Sequence, residues 1–134
     1  MHLPNVTLCC IDTKYPELGF HSILRSCTGL SFASVLFFTN ESFVIPQNFI
    51  KNLTVIRNEK IDNIESYSYF ILKQLARYIK TTHVLTIQWD GFIINSGAWQ
   101  NKFLDYDYIG APWREKGGAL LIGNGGFHSD QKNY

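Results

Sequence analysis

Four short apolar runs constrain this chain more than any other feature of it. They cover residues 6–11, 33–39, 53–57 and 84–88, and are rich in Val, Ile, Leu, Phe and Thr. A strand covered on both faces reads as a continuous apolar run, not as an alternation of apolar and polar residues. Two helical patterns lie between these runs. After Pro16, which suits a first helical turn, Phe20, Ile23, Leu24 and Cys27 recur at helical spacing, and Gly29 closes the element. Residues 62–80 predict the longer helix, with Ile64, Tyr67, Ile71, Leu72, Leu75 and Ile79 as its apolar stripe. Asp62 and Glu65 have the form of a capping box if Asp62 is the cap. Lys73, Arg77 and Lys80 lie off the stripe, and Lys80 suits the negative end of the helix dipole.

The order is therefore strand, helix, strand, strand, helix, strand. It predicts an α/β fold in which a mainly parallel sheet forms the middle of three layers, with helices on both faces. After Asp90 the rhythm breaks into short pieces punctuated by glycines and Pro112. Loop-rich stretches of this kind commonly carry the binding groups of an α/β scaffold. No repeat, low-complexity tract or interdomain linker interrupts the chain, and 134 residues suit one domain, 1–134.

Composition excludes several classes of function. With 46% hydrophobic residues the chain is globular, and a formal net charge of +1 gives no basis for bulk contact with nucleic acid or an anionic membrane. No run approaches the roughly 18 apolar residues of a membrane span, and no signal peptide is evident, so the expected location is cytoplasmic. Cys9, Cys10 and Cys27 have no zinc-ligand spacing, and an apolar setting makes the first two small core residues. The glycosylation patterns at Asn5, Asn40 and Asn52 read as chance in such a chain. There is no nucleophile elbow, and His2, His21, His83 and His128 have no ligand spacing.

The candidate chemistry lies at strand exits. Open α/β sheets bind ligands outside the carboxyl ends of their strands. Asp90 follows such a strand, placed to hold a divalent cation or a sugar hydroxyl. Asp-Gly is also an ordinary turn dipeptide, so a turn is the alternative. Asp12 and Thr13 end the first strand, where a helix cap is the competing role. The Gly123-Asn124-Gly125-Gly126 cluster would let backbone N–H groups approach a ligand, yet it lacks the Gly-Lys-Ser/Thr of a P-loop and equally fits a tight turn. Asp105 and Asp107 would share one face if their segment is extended. Trp89, Trp99 and Trp113 cluster near these turns, as stacking platforms or as core fillers.

Three segments together resemble the DUF5672 family, a glycosyltransferase-like group. They are Gln88-Trp89-Asp90, the run from Asp107-Tyr108-Ile109-Gly110 through Ala111-Pro112-Trp113, and Gly123-Asn124-Gly125-Gly126-Phe127. The first strand fits the same pattern, so that the resemblance covers roughly residues 4–127. It implies a GT-A-like, Rossmann-like fold binding a nucleotide-activated sugar at the carboxyl edge of the sheet. Gln88-Trp89-Asp90 then stands in the place of a DxD motif, with Asp90 as ligand of Mn2+ or Mg2+ and Gln88 replacing the first acid. Asp12 and Thr13 would lie near the base or ribose, and Gly125 and Gly126 near the sugar or acceptor. Asp105, Asp107, Trp113 and Asn124 are candidate contacts. The implied reaction is transfer of a glycosyl group to an acceptor hydroxyl. Beyond Phe127 the resemblance stops, which implies an incomplete domain without its acceptor side. The alternative is a binding or interaction module without turnover.

Overall fold

A computed structural model describes residues 1–46, 50–57, 61, 63–110, 112–114, 120–122 and 128–131, the last three stretches as backbone only. Strands β1 (His2–Ile11), β2 (Ser31–Thr39), β3 (Leu53–Arg57) and β4 (His83–Ile87) match the four apolar runs. Their order in the sheet is β3-β2-β1-β4, and all of these pairings are parallel. Strands β5 (Tyr108–Gly110) and β8 (His128–Gln131) extend the sheet beyond β4, with β8 running antiparallel between β4 and β5. Strands β6 (Pro112–Arg114) and β7 (Leu120–Ile122) form a separate two-stranded ribbon.

The period-two geometry of the strands divides the apolar runs between two faces. On one face Leu8, Cys10, Phe37, Leu85 and Ile87 pack with Phe20 and Ile23 of helix α1 (Pro16–Ser26). On the other, Cys9, Ile11, Leu36, Phe38 and Val84 pack with Phe70 of helix α2 (Ile64–Lys73) and with Leu75 and Ile79 behind it. This is the three-layer arrangement expected. Phe38 anchors the second face, edge-on to Phe70 at 4.8 Å and to Tyr78 at 5.0 Å between ring centroids. Burying a ring of this size contributes about 1.5–3 kcal/mol. Burial also pushes the Cys10 thiol well up, so it packs as an unreactive small side chain.

The second helix departs from its expected limits. Its cap is Asn63, whose side chain accepts from the Ser66 N–H at 2.7 Å while Ser66 Oγ faces the Asn63 N–H at 3.4 Å. The capping box is thus one residue later than the Asp62–Glu65 pair, and Asp62 lies outside the described residues. The helix ends at Lys73, and a 3-10 turn covers Leu75–Tyr78. The inward stripe runs through Tyr67, Phe70 and Ile71, while Ile64 and Leu72 are 85% and 76% exposed.

Among the described residues no helix is long and apolar enough to cross a membrane.

Candidate functional site

Strand order reverses direction at β1: β2 lies on one side and the chain-distant β4 on the other. Such a switch point opens a crevice at the carboxyl ends of the two strands. Asp12 and Thr13 leave β1 there, and Gln88, Trp89 and Asp90 leave β4 beside them.

The β1 exit is tightly built. The Asp12 N–H continues the ladder by donating to the Phe38 carbonyl at 2.9 Å, and the Thr39 hydroxyl donates to the Asp12 carbonyl at 3.0 Å. Asp12 Oδ1 accepts the N–H groups of Tyr15 at 2.6 Å and Lys14 at 3.1 Å, an Asx-type turn that leads the chain into α1. Its second oxygen makes no hydrogen bond among the described residues. The Thr13 hydroxyl donates to the Ile61 carbonyl at 2.8 Å and accepts the Ile61 N–H at 2.9 Å. It thereby staples the segment before α2 to the end of β1. Asn40, just after β2, donates to the Thr13 carbonyl at 3.0 Å, and Arg57 at the end of β3 donates to the Asn40 carbonyl at 2.9 Å. Hydrogen bonds thus link the exits of β1, β2 and β3.

Glycine lets α1 come close to this end of β1. A Cβ on Gly19 would stand 2.9 Å from the Asp12 Cβ and 3.3 Å from Phe37 Cε1. Burial, the largest influence, raises the Asp12 carboxyl pKa. The Tyr15 and Lys14 N–H groups oppose that shift, while the negative charges of Asp90 and then Glu17 reinforce it. The Asp90 charge therefore acts on Asp12 across the switch point.

The β4 exit is a tight two-residue turn. Gln88 and Gly91 exchange backbone hydrogen bonds of 2.9 and 3.2 Å, leaving Trp89 and Asp90 at the tip, both exposed. Asp90 therefore is a turn residue, as the Asp-Gly dipeptide suggests, and it also presents its carboxylate at the switch point. Trp89 meets Tyr15 from the β1 exit edge-on, with ring centroids 5.8 Å apart. The Lys14 ammonium lies 5.4 Å from the centroid of the Tyr15 ring. Lys14 and Tyr15 carry no sequence signal beyond directly following Asp12-Thr13 in a loop, and sequence reasoning passed over them.

The downstream candidates divide. Asp105 closes a 3-10 turn, Asn101–Asp105, and Asp107 lies in a bend, so no single extended strand puts them on one face. Tyr108 opens β5 opposite Asp130, which pairs with Val84 near the start of β4. Asp107 thus enters from the amino edge of the sheet, opposite the edge where Asp90 leaves. Strand direction separates this pair from Asp12 and Asp90. At the other end of β8, His128 pairs with both Gly110 and Thr86, close to the β4 exit. Gly125, Gly126 and Asn124 precede it in sequence but lie outside the described residues. Trp113 pairs with Leu121 in the ribbon by its backbone. Trp99 is half-buried against the core and meets Phe103 at 5.3 Å, the core-filler role.

The family model of DUF5672, a protein of unknown function, matches residues 50–129, more than half of the chain. The chain belongs to the DUF5672 family. The match takes in Gln88, Asp90 and the glycine cluster; Asp12 and Thr13 precede it. No curated protein matches the sequence. In this DUF5672 protein no group of three or more His, Cys, Asp or Glu side chains that could hold a metal ion occurs among the described residues. Magnesium-type cations commonly bind through one or two carboxylates completed by substrate phosphates. A cage built from protein alone is not present among the described residues, and of the two strand-end carboxylates Asp90 is exposed and Asp12 is buried.

Proposed function

We propose that this DUF5672 chain is a glycosyltransferase-like domain that binds a nucleotide-activated sugar at the carboxyl edge of its sheet and transfers the glycosyl group to an acceptor hydroxyl. The observation that carries the proposal is that the exits of β1 and β4 bring Asp12 and Asp90 to one switch point, where Tyr15 and Trp89 meet with ring centroids 5.8 Å apart and Lys14 lies over the Tyr15 ring. A four-stranded parallel core extended by an antiparallel strand supports a GT-A-like assignment.

In this reading Asp90, assisted by Asp12, would hold Mn2+ or Mg2+, with the donor diphosphate completing the donor set. When bound, the cation neutralises charge on the leaving diphosphate. Lys14 supplies a second positive charge from the protein itself. The acceptor oxygen forms the new bond to the anomeric carbon. The bond to the diphosphate breaks and carries its electron pair away, and the hydroxyl proton passes to a base. Asp105 and Asp107 approach from the opposite edge, so neither is proposed for that role.

Gln88 favours a second reading. An amide is a weaker cation ligand than the acid it replaces, and a site with one committed carboxylate also suits a nucleotide-sugar-binding module without turnover. Titration calorimetry with UDP- and GDP-sugars, with and without manganese, tests both readings. Binding that strengthens with manganese and is lost in Asp90→Ala, together with release of free nucleotide, is expected of the enzyme. Binding without release selects the module, and absence of binding by any nucleotide sugar rejects both.

A further inference from the structure

We infer that Trp89 is the stacking platform for the nucleobase of the donor, steadied by Tyr15, with Lys14 marking where the phosphates lie. The inference rests on the nucleotide-sugar reading above and names the part of the substrate that the aromatic pair recognises.

Two large aromatic side chains from different strand exits meet at the mouth of the switch-point crevice. Both are substantially exposed, Trp89 at 44% and Tyr15 at 43%. The phenylalanines of the sheet and its helices are used differently: Phe20, Phe37, Phe38 and Phe70 are buried in the two core layers. A tight turn and an Asx-type turn hold the Trp89 and Tyr15 backbones in place. Little order is therefore left to be gained on binding, and preorganised groups of this kind bind at lower entropic cost.

Ring geometry then selects the platform. The planes of Trp89 and Tyr15 are inclined at 64°, so their contact is edge-to-face and only one of the two rings gives up a face to it. Lys14 sits over the Tyr15 ring. Trp89 gives up at most one of its two faces to Tyr15, and the indole is the larger surface. A planar ring stacks there without displacing the pair. Stacking of a base on an aromatic side chain is tolerant of base identity, since every base has a π-face. The carboxylate of Asp90 is the next residue along the turn, and the Lys14 ammonium lies on the Tyr15 side. Aromatic surface and cation together match a nucleoside diphosphate better than a free sugar, which has no planar ring and no charge for Lys14.

Titration of the whole chain with UDP, GDP and inorganic pyrophosphate tests this. Trp89→Ala is expected to weaken the tighter nucleoside diphosphate by about ten- to a hundred-fold, the range of one lost base stack. Pyrophosphate affinity should be unchanged in that variant. Trp89→Phe should recover most of the loss, and Lys14→Ala should weaken nucleotide and pyrophosphate alike. Nucleoside diphosphate binding by Trp89→Ala at wild-type strength would overturn the inference while leaving the nucleotide-sugar reading in place. A loss confined to nucleotide sugars, with the nucleoside diphosphate unaffected, would also overturn it, by assigning the platform to the sugar. Wild-type protein that binds none of the nucleotides rejects the nucleotide-sugar reading and this inference together.

Discussion

The two central strands both end in an aspartate, and the two carboxylates are used in opposite ways. Asp12 is 7% exposed, and one of its oxygens already caps the following turn. Asp90 stands exposed on a two-residue turn whose backbone hydrogen bonds run between Gln88 and Gly91. Asp12 thus helps to build the β1 exit, and Asp90 is left exposed beside it. An acid that folds the chain and an acid that meets a ligand are told apart by what their oxygens already hold, not by their position at a strand end.

The sharpest way to break this contrast is through Gly19. Its missing side chain lets α1 approach Asp12 more closely than a Cβ allows, and leaves little room beside Phe37. Gly19→Val should destabilise the protein by about 1–3 kcal/mol through overpacking, with a further cost for a β-branched residue in a helix. Chemical denaturation with urea measures it, and nucleotide binding should fall with the distorted β1 exit. A Gly19→Val variant of wild-type stability would show that α1 is not held against the β1 exit.

Next in size come the two alanine variants. Asp12→Ala leaves the Lys14 and Tyr15 N–H groups without their acceptor. Losing a cap of this kind costs about 0.5–2 kcal/mol. Asp90→Ala removes no folding contact of that kind and should stay within about 0.5 kcal/mol of wild type. The expected pattern is crossed: Asp12→Ala shifts the urea midpoint, and Asp90→Ala loses manganese-dependent nucleotide binding at an unchanged midpoint. Equal destabilisation by both would erase the distinction between them.

Thr13→Val sharpens the comparison from the neighbouring residue. The hydroxyl both donates to and accepts from Ile61, and valine keeps its shape but forfeits both bonds. A net hydrogen bond contributes about 0.5–1.5 kcal/mol, so a loss of about 1–2 kcal/mol is expected. Hydrogen exchange should show it as earlier opening of α2 while α1 stays protected.

How far the sequence disclosed this arrangement follows from the range of the interactions involved. The four parallel strands were legible because burial on both faces leaves a continuous apolar run, as in 33–39. The first helix was legible because Pro16 and Gly29 bracket it. The start of α2 was missed by one residue because Asp62 and Asn63 are both good caps, and only backbone geometry chooses Asn63. The antiparallel insertion of β8 between β4 and β5 was not legible. It joins His83 to Gln131 across nearly fifty positions, through a strand with no apolar run of its own. That insertion sets the direction of β5, and so it is what carries Asp107 to the far edge. Asp12 and Asp90 were legible as strand-end acids, but their division of labour was not. It depends on which backbone N–H groups each carboxylate meets, and Tyr15 and Lys14 are ordinary residues in sequence.

The smallest expected effect isolates charge from hydrogen bonding at Asp12. Burial chiefly, and the Asp90 charge in addition, raise this carboxyl above its ordinary value of 3.8. A group whose folded pKa is raised binds its proton more tightly in the folded state. Its contribution to stability is therefore full below the unfolded value and is lost as pH rises through the raised folded pKa. Asp12→Asn keeps an Oδ1 acceptor for the Tyr15 and Lys14 N–H groups and carries no charge to desolvate. The variant should be at least as stable as wild type at neutral pH. Its advantage should shrink as the pH falls into the ordinary carboxylate range, where wild-type Asp12 becomes neutral too. Urea midpoints of both proteins, measured without added metal from pH 7 down to pH 4, check the sign. An advantage that grows toward acid would mean that the N–H groups of Tyr15 and Lys14, rather than burial, dominate at this carboxylate. Asp12 would then be held as an anion by its own turn, ready to share a cation with Asp90 before any substrate arrives.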